Sequence, residues 1–143
     1  MRKIIAGTAA VLVMAGVALA QIEASSSTYF LDIDPARYNG PPGQRIQVML
    51  GDQPRHIALN AQDEICLQLQ SVSGDSTTIS ARLRALRPEP HEAVAVNVAG
   101  PGISPGTYRS TPWGMLVRIV PVRAVAQDTV KPLATAGAPV CDL

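Results

Sequence analysis

Along most of this chain apolar and polar side chains alternate with a period of two. In QRIQVML, Ile46, Val48 and Leu50 fall on one face and Arg45, Gln47 and Met49 on the other. RHIALN sets Ile57 and Leu59 on one side, and AVAVNVA does the same with Val94, Val96 and Val98. In ICLQLQSV, Ile65, Leu67 and Leu69 oppose Cys66, Gln68 and Gln70. The series begins with YFLDID, where Tyr29, Leu31 and Ile33 oppose Phe30, Asp32 and Asp34. Successive side chains of a strand point to opposite faces, so each segment predicts a strand covered on one side and wet on the other.

Two segments are less simple. In STTISARLRAL, residues Ile79, Ala81, Leu83 and Ala85 alternate as a strand, while Ile79, Leu83 and Leu86 also fit a helix face. The Ser73–Asp75 turn before it favours a hairpin, so a strand is predicted over 76–87 with a helix as the alternative. MLVRIVPVRAVA is apolar on both faces apart from Arg118 and Arg123, which predicts a covered strand with a bulge or edge at Pro121. Gly/Pro-rich breaks separate the strands, as in PARYNGPPG, RPEPHE and GPGISPG. Residues 127–143 show no periodicity and read as an irregular tail. About seven short strands with little helix predict an all-β domain over 29–126. Its form would be a small antiparallel sandwich of immunoglobulin-like type or a partly open barrel.

The N-terminus changes the picture of where this domain works. Arg2 and Lys3 precede an uncharged stretch that ends in the small-residue site Ala18-Leu19-Ala20. This is the three-part pattern of a secretory signal peptide, predicting cleavage after Ala20, a flexible lead-in over 21–28, and a periplasmic or extracellular address. The alternative is a retained single-helix anchor, the one way in which a membrane would be involved. Of the 12 basic residues, 10 remain after Arg2 and Lys3 leave, against 11 acidic ones, a net charge of −1. That balance argues against nucleic acid as a partner.

The chain has two cysteines, Cys66 in a strand and Cys141 three residues from the end. In an exported chain two cysteines pair. Cys66 lies on the polar face of its strand, so a tail crossing the outside of the sheet can reach it. A Cys66–Cys141 disulfide is therefore expected.

Catalytic chemistry is thin. GISPG matches G-x-S-x-G with Ser104 as nucleophile, but the residue after the serine is Pro105, which lacks the N–H that the oxyanion hole requires. Asp32 and Asp34 share a strand face, yet the nearby loop supplies too few oxygens for calcium. His56, His91 and Cys66 lack the short ligand spacing of a zinc site. No metal or cofactor is expected. Arg82 and Arg84, i and i+2 on a strand, form a row that could take a carboxylate or phosphate. PGTYR, Pro105 to Arg109, resembles the lead-in to a late strand of immunoglobulin-like domains. The resemblance covers five residues: Ser110 stands where an antibody-type domain carries cysteine, and no tryptophan follows Cys66 at the expected place.

Tyr108 and Trp113, two of the five aromatic residues, flank the Pro/Gly-rich segment Gly100–Gly114 beside Arg109. Aromatics on a rigid loop make a contact surface at small entropic cost; alternatively, Trp113 caps the core. The sequence thus predicts an exported non-catalytic binding or assembly module whose partner is another extracytoplasmic protein. A structural subunit of a surface assembly is the second reading, and a small hydrolase the third.

Overall fold

The computed structural model describes residues 28–72, 74–127 and 129–143. The expected signal segment 1–20 and residues 21–27 of the expected lead-in lie outside them, while Thr28, the last lead-in residue, begins the first strand. Nine strands are described: β1 (Thr28–Asp34), β2 (Gln44–Met49), β3 (Arg55–Ala58), β4 (Glu64–Val72), β5 (Asp75–Arg87), β6 (Val94–Ala99), β7 (Arg109–Ser110), β8 (Leu116–Ile119) and β9 (Leu133–Ala134). They form a five-stranded sheet of order β7-β8-β1-β2-β9 and a four-stranded sheet of order β3-β4-β5-β6. All pairs are antiparallel except β2–β9. The fold is a small β-sandwich, and the two strands beyond the expected seven are the two-residue β7 and β9.

The alternating pattern builds the core directly. Leu31, Ile33, Ile46 and Val48 of the first sheet meet Ile65, Leu67, Leu69, Leu83 and Val98 of the second, all at most 2% exposed. The ambiguous segment is strand β5, because both of its edges are taken: Leu83 sits opposite Leu67 on β4 and Val94 on β6. A helix there would leave β6 without a ladder and β4 paired on its β3 side alone.

The structure corrects one expectation. The apolar segment after Met115 is a strand only to Ile119, and Val122–Gln127 is a helix, α1. Pro121 is neither bulge nor edge but the helix start: its carbonyl accepts from Ala124 N–H at 2.9 Å and Val125 N–H at 3.2 Å. A helix start has no use for the N–H that proline lacks. Val122 is consequently 84% exposed rather than covered.

From α1 the chain crosses the outer face of the first sheet. Its start, β8, and its end, β9, lie on opposite sides of the β1–β2 pair, and Val130 lines a hollow with Asp32, Arg45 and Tyr108 on that face. The described residues of the aperiodic stretch, 127 and 129–143, are thus part of the architecture. After β9 the chain turns onto the edge of β3, where Pro139 accepts from His56 N–H at 2.7 Å and Cys141 N–H donates to Pro54 at 3.0 Å. Residues 129–141 form a strap that wraps the β2–β3 side of the sandwich and covers two strand edges that would otherwise be open to pairing. It ends in the Cys66–Cys141 disulfide, with Cα atoms 6.0 Å apart. Cys66, on the polar face of β4, is fully buried beneath it.

Candidate functional site

Four connections meet at one end of the sandwich: 35–43 between β1 and β2, 59–63 between β3 and β4, 88–93 between β5 and β6, and 111–115 between β7 and β8. Together they enclose a cleft of about 260 Å³ whose walls include Arg37, Asp63, Arg87, His91 and Trp113. Loops held at the end of a rigid sandwich are where such folds place recognition residues.

Each wall has a local cause. In 59–63, Asn60 Oδ1 accepts from the N–H groups of Gln62 at 2.7 Å and Asp63 at 2.8 Å, a side-chain-fixed turn that aims Asp63 inward. Asp63 is fully buried. Its Oδ1 takes two bonds from Arg37, Nε at 3.0 Å and Nη2 at 2.6 Å, while Oδ2 takes none among the described residues. Arg37 arrives from a loop with two non-glycine residues at positive φ, Ala36 at 56° and Asn39 at 58°. Asp34 Oδ1 secures that bend by accepting from Ala36 N–H at 2.8 Å. Between the two bends Tyr38 projects, 94% exposed. On the opposite wall Trp113 packs against the core and stacks on His91, ring centroids 4.8 Å apart and planes 3° from parallel. His91 is fixed by its own N–H, which donates to Ala85 at 3.0 Å. The indole Nε1–H is buried and has no acceptor among the described residues.

Beside the cleft Glu64 joins β3 to β5, accepting from His56 Nε2 at 2.7 Å and from Arg87. The His56 hydrogen bond, against a smaller opposing effect of burial and with help from Arg87, holds its carboxyl below the ordinary glutamate value.

The structure separates residues that the sequence places together. Trp113 belongs to this end cleft, where it also covers the core. Tyr108 instead lies on the outer face of the first sheet, with the Arg118 guanidinium 4.6 Å from its ring centre, and burial raises its hydroxyl pKa. Arg109 is exposed on the edge strand β7. Below Tyr108, Asp32 is clasped by Arg45 Nε at 2.9 Å and Arg118 Nη2 at 2.9 Å. Burial pushes its carboxyl up, but the two guanidinium groups outweigh that and hold it below the ordinary aspartate value. Asp32 and Asp34 therefore have separate duties, one in an ion-pair layer and one in a turn.

Arg82 and Arg84 stand on the outer face of the second sheet, Arg82 donating to Gln68 at 3.3 Å and Arg84 in register with Cys66. Ser104 is in an exposed turn where its carbonyl accepts from Thr107 N–H at 3.1 Å. Neither histidine serves that turn: His91 stacks on Trp113 and His56 bonds Glu64.

Arg37, Tyr38 and Asp63 are the site residues that sequence reasoning missed. The Asn60-x-x-Asp63 spacing signals the turn, but no spacing links Asp63 to an arginine 26 residues earlier. No protein-family model, curated protein sequence or solved structure matches the chain.

Proposed function

We propose that this chain is an exported, non-catalytic binding module that holds a protein partner at the loop end containing Tyr38, Arg37, His91 and Trp113. The observation that carries this reading is the convergence of four loops around one aromatic-walled cleft, with Tyr38 94% exposed beside it. Tyrosine, tryptophan and arginine are the residue types that anchor interfaces. The disulfide supports an oxidising compartment, in keeping with the N-terminal signal pattern. Tyr108 and Arg109 would extend the contact only toward the first sheet's outer face.

The test is site-specific photo-cross-linking of the exported protein, with the reactive residue at position 38 or, as control, at Asn97 on β6. A discrete adduct from position 38 that is absent from position 97 and lost in the Trp113→Ala background supports the reading. Equal adducts from both positions, or none from either, would remove it. The subunit reading draws on β6, six residues without charge or proline at the end of its sheet order. Light scattering on purified protein separates the two, since an assembly subunit oligomerises and a lone module does not.

A further inference from the structure

Two residues of the cleft wall carry polar atoms that the fold buries without satisfying. Arg37 directs both of its donors to Asp63 Oδ1, so Oδ2 accepts nothing among the described residues, and the Trp113 indole N–H donates to nothing. Both side chains line the same cleft, and Asp63 is 0% exposed. Native proteins leave few such atoms unpaired, because each has lost its hydration.

The two atoms are opposite in kind, one acceptor and one donor. Among the charged wall residues Arg37 neutralises Asp63 and Glu64 holds Arg87, which leaves the exposed Glu89 at the rim. An ammonium group would serve Asp63 and leave the indole unpaired. A carboxylate would serve the indole and confront the aspartate. An uncharged amide supplies both kinds of group, an N–H suited to Asp63 Oδ2 and a carbonyl suited to the indole. We infer that the cleft binds an amide group of the partner, from either an Asn or Gln carboxamide or a backbone peptide unit. The inference rests on the reading of this end as the partner-binding end. Size agrees with it: about 260 Å³ lies below the roughly 300–1,000 Å³ that drug-sized ligands occupy, and suits one side chain or one stretch of peptide. Arg37, with 39% of its side chain exposed, occupies Asp63 Oδ1 and leaves Oδ2 to the ligand.

The chain's single tryptophan gives one indole N–H signal in an NMR spectrum, and Met115, buried on the cleft wall, gives a methyl signal that survives changes at Trp113. Four probes are titrated: butyramide for the carboxamide source, N-methylacetamide for the peptide source, and butylammonium and butyrate as charged analogues. Saturable shifts of both signals by at least one amide, at the millimolar affinity proper to so few atoms, are expected. The tighter of the two amides names the source. Trp113→Phe keeps the ring but loses the donor and should weaken binding about tenfold, read at Met115, as for one lost hydrogen bond; Asp63→Asn should weaken it too. Charged probes binding as tightly as the amides, or no saturable shift from any probe, overturns the assignment. If position 38 still cross-links while no amide binds, the contact surface stands and the amide site falls. If both fail, the reading of this end falls with it.

Discussion

Opening the disulfide measures how much the strap owes to its last link. In a Cys66→Ala/Cys141→Ala variant, a cross-link across a sequence separation of 75 residues is lost. The loop-entropy relation for a ring of that size gives about 4.5 kcal/mol at 25 °C, acting through the unfolded chain. Two structural features bear on that figure. Cys66 is fully buried, so losing its sulfur adds a packing cost. Against that, the strap has holds of its own: Thr135 N–H and hydroxyl on Gln47 at 3.1 and 3.0 Å, Arg55 on Ala138 at 2.8 Å, and the β3-edge bonds. The variant should therefore fold with the strap in place and lose about 2–4 kcal/mol in urea unfolding followed by Trp113 fluorescence. Its denaturant slope should rise, because an unlinked unfolded chain exposes more surface. Amide exchange at His56 and Cys141 should quicken. A midpoint shift worth less than about 0.5 kcal/mol, with those amides still protected, would refute the reasoning, since a change that small is typical of a surface substitution.

Three further outcomes follow from other parts of the fold. Asp32, Asp52 and Glu64 all have lowered carboxyl pKa values, so their contribution is complete above the ordinary carboxylate range and is lost as pH falls through the lowered values. Thermal midpoints should hold from neutral pH to about 5 and drop below about 4, and Asp32→Asn should flatten that drop while costing about 2 kcal/mol at neutral pH by weakening a partly buried ion-pair layer. Gly43→Ala would place its Cβ 2.4 Å from the Ile33 carbonyl and 2.9 Å from Asp34 Cα; calorimetry should show a loss of about 1–3 kcal/mol, as for overpacking, and none if the loop yields. A C-terminally tagged protein recovered from its host should begin at Gln21, and an intact residue 1 on membrane-embedded protein would mean a retained anchor.

The sheets were legible because their apolar alternation runs over whole strands. Ile65, Leu67 and Leu69 can only face one way, and their burial is complete. VPVRAVA was illegible because a short apolar run fits both periods, and a proline fits a strand defect as well as a helix start. β9 has two residues and no pattern to read; a parallel pairing to Ile46 and Gln47 is decided by where the strap lands. The cleft is harder still. Arg37 meets Asp63, and His91 meets Trp113, only after four loops close on each other. Tyr108 and Trp113, neighbours in sequence, part company because β7 and its turn carry them to different surfaces.

The strap's terminal link also decides how the molecule would respond to force. Tension on the C-terminus enters at Cys141 and passes through the sulfur atoms into β4, bypassing everything between the two cysteines. At about 3.5 Å per extended residue, the separation of 75 residues keeps roughly 260 Å of chain out of the load path. A protein pulled from both termini could lengthen only through the residues ahead of Cys66, including β1, β2 and β3. Reducing one bond would release the remainder, converting a short stiff tether into a long compliant one.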